Sequence, residues 1–393
     1  MAKRSFVRYA TKTNVDPQKV YIENKAVDSI IEELTERGSR RLLVVCDNAV
    51  RKLRPFEKMV DKLLSEHYRV FIYCQTGNTL VAGDIEGAAK ICHEYNCDTI
   101  IAVGGMSEID CAKLVGAMVN NPDSTLQQMS GVNKIKNDIP TVICICTENS
   151  VAATTSSAEF YIPDKHQWVD VYSPFLTPHI VVYDAEFSSR GALEISMISA
   201  VEALSIAIES YIHPLSLSFP EYRASSKIAI TSAIKNLEKL ASNPTDAIVR
   251  NQIGVMSFYA GLSSRKSGLG YAHMIEHALI SKYGVAHGTG FATVLPLVLS
   301  AQMSDYQDDF AELARAAHFC SASLDTASAA QVFVDNIRRI LEKLKLPKMA
   351  CSIARDDVAS IVNEVERMAK NYSFKNPLDS RMLTHTILML SQM

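Results

Sequence analysis

Short apolar runs and helical spacings alternate through the first half of the chain. Residues 42–46 (LLVVC), 70–74 (VFIYC), 99–103 (TIIAV), 141–146 (TVICIC) and 180–183 (IVVY) are rich in β-branched side chains and lack polar alternation. Runs of this kind read as strands covered on both faces, as in a parallel sheet. Between them Ala26, Val27, Ile30, Ile31 and Leu34 recur at helical spacing and stop at Gly38, and Ile85, Ala88, Ala89 and Cys92 recur likewise. The alternation predicts an α/β domain over residues 1–187, built on a mostly parallel, doubly wound sheet with ligands at the carboxyl ends of its strands. From residue 188 long helical periods take over, at 193–212, 221–241, 247–263, 307–319, 328–345 and 355–371. They predict an all-α domain over residues 188–393.

Composition narrows the class without changing this picture. A chain of 393 residues can bury two domain cores, and 48% hydrophobic with 21% charged residues is an ordinary globular balance. The net charge of −3 argues against nucleic acid or an anionic membrane surface as a partner. The apolar runs read as too short to span a membrane. The N-terminal MAKRSFVRYATKTN is basic but has no apolar segment, so it is not a secretory signal. Nine scattered cysteines without a C-x-x-C pair fit reduced thiols in a cytoplasmic protein.

Two stretches carry chemistry. Residues 99–113, TIIAVGGMSEIDCAK, run from a strand through Gly104 and Gly105 into a helix. Ser107 is expected at the N-cap, with Asp110 completing an S-x-x-D capping box. The glycines allow a pyrophosphate to approach the positive helix end, although a turn that merely joins strand to helix has the same spacing. The stretch is neither G-x-G-x-x-G nor a Walker loop. Asp47, closing an earlier strand, is placed to accept hydrogen bonds from an adenosine ribose and to repel a 2′-phosphate, which favours NAD over NADP. A solvated strand-end aspartate is the alternative.

The second stretch is 268–296, GLGYAHMIEHALISKYGVAHGTGFATVLP. His273 and His277 share one helical face, and a break at Gly284 would return His287 to their side. Three imidazoles so arranged are candidate metal ligands, against the alternative of hydrogen-bonded core histidines. The run 273–277 also matches the H-x-x-E-H signature of a zinc peptidase, in which Glu276 would be the general base.

Taken in order, the motifs resemble the iron-containing (group III) alcohol dehydrogenases, whose superfamily also holds dehydroquinate synthase and glycerol-1-phosphate dehydrogenase. GGMSEIDCAK is similar to that family's G-G-G-S-x-x-D-x-A-K, EALSIAIESY to its D-A-L-x-H-A-I-E-x-Y, and 273–296 to its H-x-x-x-H…H-G…L-P block. The resemblance implies a dinucleotide-binding α/β domain followed by a helical metal and substrate domain. It also implies NAD and a divalent metal as cofactors, a small alcohol or aldehyde as substrate, and a homodimer. NAD would be seated by Asp47, Gly104, Gly105, Ser107, Asp110 and Thr147. The family's ligands, an aspartate, a histidine one turn later and two further histidines, fall on Glu202, Ile206, His273 and His287. Isoleucine cannot ligate, which leaves Glu202, His273 and His287 as an open set suited to zinc or ferrous iron. His277 becomes the candidate proton relay.

Two further departures stand out. Met106 replaces the third loop glycine, and the family's T-T-A-G-T-G-S-E loop survives only as TENSVAATT, with Thr147 kept. They leave open a nucleotide-binding relative without redox chemistry. A lyase of the dehydroquinate synthase kind is a further alternative, for which Arg265, Lys266 and Lys282 offer few basic groups.

Overall fold

The β-branched runs form the strands they predict. The computed structural model describes residues 7–8 and 18–392 apart from positions 76, 78, 149, 166, 266, 269, 348–351 and 371, so Lys266 lies outside the described residues. The strands are β1 (Val7–Arg8), β2 (Lys19–Ile22), β3 (Arg41–Asp47), β4 (Arg69–Gln75), β5 (Thr99–Gly104), β6 (Gly131–Val132), β7 (Thr141–Cys146), β8 (Ser157–Ile162), β9 (Gln167–Tyr172) and β10 (Ile180–Tyr183). The main sheet has the order β1-β2-β10-β7-β5-β3-β4. Its pairings are parallel except that of β1 with β2. Helices α1 (Ser29–Glu36), α2 (Arg54–Ser65), α3 (Ala82–Glu94) and α4 (Met106–Asn120) alternate with the strands. Leu34, Phe56 and Leu63 pack on Val44, Ile101, Ile143 and Val182, which explains why those strands show no polar alternation.

The strand order sets the place for a ligand. The chain leaves β3 for β4 on one side and returns on the other side of β3 as β5. A crevice opens at such a reversal, outside the carboxyl ends of the two strands. Those ends are Asp47 and Gly104.

A small second sheet, β6-β9-β8, was not legible as strands in the sequence. It receives α4 through a buried lysine. Lys113 has no exposure to water, and its Nζ donates to Asp110 Oδ1 at 3.2 Å, Thr155 Oγ1 at 3.2 Å and the Ser157 carbonyl at 2.7 Å. Asp110 Oδ2 in turn accepts the Glu159 N–H at 3.0 Å. The last residues of the GGMSEIDCAK motif therefore bolt α4 to β8.

The chain divides into two compact units, Met1–Ser196 with Pro244–Gly254, and Met197–Asn243 with Val255–Met393. The remaining long helices are α5 (Leu193–Ile212), α6 (Pro220–Ser242), α7 (Ala247–Ser264), α8 (Tyr271–Tyr283), α9 (Phe291–Gln302), α10 (Gln307–Ala316), α11 (Thr326–Leu344), α12 (Val358–Ala369) and α13 (Ser380–Leu390). In the second unit α8 packs on α9 and α12, and α9 on α11 and α13.

One expectation is corrected. Helix α5 is long and apolar enough to cross a membrane, whereas the apolar runs were read as too short. Most of it (83% of the apolar window) is buried inside the protein, and it carries Glu202 and Glu209. A helix surrounded by others is apolar on all sides for that reason.

Lys113→Met would take the ammonium from a buried carboxylate. It should destabilise the protein by about 3–5 kcal/mol, seen as a lower urea midpoint, and Asp110→Asn added to it should recover part of the loss.

Candidate functional site

The first candidate lies where β5 runs into α4. Gly105, not Ser107, is the N-cap, and α4 begins at Met106. The expected S-x-x-D box is thus replaced: Glu108, not Asp110, reaches back, its Oε2 accepting the Gly105 N–H at 2.9 Å. The reason is register, because Ser107 already sits inside the first turn, where its hydroxyl cannot cap. Gly104 and Gly105 are both tightly approached. A Cβ at Gly104 would lie 2.5 Å from Glu108 Oε2, and one at Gly105 would collide with Glu148 Oε1.

Glu148 was not singled out from the sequence. Its Oε1 accepts the Met106 N–H at 3.2 Å, so amides at the positive end of α4 face two carboxylates. Thr147 is buried, and its N–H donates to the Gly104 carbonyl at 3.1 Å. Asp47 Oδ1 accepts the Val50 N–H at 2.5 Å, which fixes it at the end of β3. Burial, with the Asp47 charge adding to it, pushes the Glu108 carboxyl up to about 7. Of the six residues expected to seat NAD, Asp47, Gly104, Gly105, Ser107 and Thr147 lie at the ends of β3, β5 and β7 or in the first turn of α4. Asp110 lies one turn deeper, bonded to Lys113 and β8.

The second candidate is built by α5, α8 and the loop after α8. Gly284 ends α8 in the left-handed conformation, φ 66°, and its N–H donates to the Ile280 carbonyl at 2.8 Å. The chain then turns and returns His287. Gly288 has φ +85°, and a Cβ there would lie 2.5 Å from Ile198, so the His-Gly pair needs its glycine twice over.

Of the three expected ligands, Glu202 and His287 are brought into contact, and His273 lies near enough for its charge to act on Glu202. His287 Nε2 stands 3.3 Å from Glu202 Oε1. The pair is within hydrogen-bonding distance, and its spacing is close to the roughly 3.4 Å that separates two donors bound at about 2.0–2.1 Å on one tetrahedral ion. His273 Nδ1 lies 2.5 Å from Glu209 Oε2, while its Nε2 is buried with no hydrogen-bond partner among the described residues. An imidazole held at one nitrogen, with the other left bare in the interior, is the usual posture of a metal ligand. Ile206, one turn after Glu202, adds no donor.

Electrostatics agree with this grouping. Burial works to raise the Glu202 carboxyl, but the His287 and His273 imidazoles outweigh it and hold the group below the usual glutamate range. His277 comes within 4.8 Å of His287 between ring nitrogens. Burial, followed by the neighbouring His287 and His273, drives it well below the ordinary imidazole value, so it is neutral at pH 7.

Sequence reasoning missed Glu209, although it stands inside the quoted EALSIAIESY motif. It noted Glu276 only through the H-x-x-E-H match. That carboxylate is fully buried, its Oε1 accepts the Gly290 N–H at 2.9 Å, and its Oε2 lies 3.7 Å from His287 Nδ1. The glutamate of H-M-I-E-H is thus tied to the returning loop, as Glu209 is to His273.

Known proteins share this architecture. Residues 17–185 match the family model described as iron-containing alcohol dehydrogenase, and 196–386 match that of the Fe-containing alcohol dehydrogenase family, C-terminal. The chain is 22% identical to the NAD-dependent methanol dehydrogenase of Bacillus methanolicus, over 90% of this chain and 91% of that protein. It is 25% identical to the probable alcohol dehydrogenase EutG of Escherichia coli, over 74% and 73%. Among solved structures it superposes on a 1,3-propanediol oxidoreductase with a TM-score of 0.88 at 19% identity, covering 98% of this chain and all (100%) of that one. An alcohol dehydrogenase from Oenococcus oeni gives 0.86 at 19% identity, covering 94% and 97%.

Glu108 makes a stability prediction. Its carboxyl rises from 4.5 to about 7 on folding, so the folded protein holds a proton that the unfolded chain releases. That stabilisation is complete below pH 4.5 and is lost as pH rises through about 7. Relative to Glu108→Gln, the wild type should lose up to about 3 kcal/mol across this window, read by denaturant titration at each pH. Parallel pH curves for the two proteins would contradict it.

Proposed function

The chain belongs to the iron-containing alcohol dehydrogenase family, and on that premise we propose how its own residues serve the interconversion of a small alcohol and its aldehyde. Membership implies a nicotinamide cofactor and a divalent metal. The observation that carries the reading is the posture of His273, bonded to Glu209 through Nδ1 with Nε2 bare, beside a Glu202–His287 pair at coordination spacing. We assign those donors to one ion, as three protein ligands that leave a position open. Iron, the ion for which the family is named, is the metal we assign.

When bound, the ion supplies polarisation of the substrate oxygen and NAD supplies the hydride acceptor. The rest falls to the protein. Glu209 and Glu276 keep the His273 and His287 rings in register. Neutral His277 takes up the proton released by the substrate hydroxyl and returns it in the reverse direction. Asp47 supports the choice of NAD over NADP, since its charge repels a 2′-phosphate. Gly104, Gly105, Ser107 and Thr147 form the coenzyme seat, with Asp110 and Lys113 bracing it from within. Action as a homodimer in the cytoplasm belongs to the same proposal. It is supported by the family resemblance and by free thiols such as Cys46 and Cys74, whose sulfurs are 3.7 Å apart.

A relative that binds nucleotide without turnover is favoured by Ile206 and by the carboxylates on the loop. Variants separate the two readings. His273→Ala should lose bound metal and alcohol-dependent NADH formation together. His277→Ala should keep the metal and lose about 10²–10⁴ in kcat. Ile206→His should retain the ion at least tenfold more tightly. Normal turnover by a metal-free preparation would sink the proposal, and tight NAD binding with no oxidation of any alcohol would favour the second reading.

A further inference from the structure

The pyrophosphate seat is already answered by a carboxylate. We propose that Glu148 acts as an internal stand-in for the coenzyme pyrophosphate, so that dinucleotide binding requires its side chain to leave the N-terminus of α4. This rests on the reading of Gly104 and Gly105 as the coenzyme seat.

The geometry argues it step by step. A pyrophosphate at a helix N-terminus uses the first amides and close backbone approach at the glycines. Here the Met106 N–H is taken by Glu148 Oε1 at 3.2 Å, and the Gly105 N–H by Glu108 Oε2 at 2.9 Å. The two acceptors differ in kind. Glu108 belongs to α4 itself, three residues from the amide it serves, and is an ordinary cap. Glu148 arrives from the segment after β7, 42 positions away along the chain. Its carboxylate lies against the Gly105 α-carbon so closely that any Cβ there would collide with it. The space that a glycine frees for an incoming phosphate is thus filled from within by an acceptor of the same charge sign.

Glu148 falls in the stretch where the resemblance expects T-T-A-G-T-G-S-E and this chain has TENSVAATT. A threonine would bring no charge to the seat. A glutamate imposes both competition for the amide and repulsion of the phosphates. The consequence is selective: the penalty applies to the pyrophosphate and spares the adenosine part of the coenzyme. The device raises the coenzyme concentration at which the enzyme becomes loaded.

The test is calorimetric titration of the full-length wild type, Glu148→Thr and Glu148→Gln with ADP-ribose and with adenosine. ADP-ribose carries the pyrophosphate without the nicotinamide, and adenosine carries neither. Both variants should bind ADP-ribose at least tenfold more tightly than the wild type, with adenosine affinity unchanged. Unchanged or weaker ADP-ribose binding in both folded variants would overturn the proposal, as would equal tightening for adenosine, which would place the effect elsewhere. If alcohol oxidation with NAD proceeds while ADP-ribose affinity is indifferent to residue 148, this inference fails and the proposed function stands. If ADP-ribose binds none of the three proteins, the coenzyme seat fails with it.

Discussion

An imidazole in a protein interior presents one lone pair in a fixed direction only when its other nitrogen is held. Glu209 does this for His273, across 64 positions of sequence, and the same carboxylate also accepts the Ala272 N–H at 2.7 Å. Glu209 is buried on α5, two turns from Glu202 on the same face. In the proposed site one helix thereby delivers both Glu202 and the group that orients His273. The packing of α8 that brings His273 there is a condition of the chemistry as much as of stability.

The same logic governs the loop after α8. Gly284 ends the helix, Gly288 permits the close pass by Ile198, and the Gly290 N–H anchors to Glu276. Together they return His287 to Glu202. Hydrophobic packing supplies the frame, but the site depends on a few buried carboxylates that each fix a backbone amide or an imidazole. Buried charges of this kind are costly unless paired, so the constellation holds only as a set.

Much of this was legible in the sequence, for physical reasons. Strands β3, β5, β7 and β10 are covered on both faces and therefore read as unbroken β-branched runs. The helix that carries His273 and His277 was legible because period and spacing are local. What escaped notice was long-range or capped unusually. Strands β8 and β9 lack a continuous apolar run, and the hold of Glu148 on Met106 has no local signature at all. Ser107 looked like a cap because serine commonly caps, yet the chain uses Gly105 with Glu108 reaching back. Helix α5 was underestimated as an apolar segment because interleaved serines and glutamates interrupt its apolar residues.

The account turns on whether Glu202, His273 and His287 surround one ion. X-ray absorption at the iron edge of the reconstituted protein tests this directly. It should show two imidazole shells and a carboxylate oxygen at about 2.0–2.2 Å, the usual range for such donors. A spectrum free of imidazole scattering, or one unchanged in His273→Ala, would contradict it.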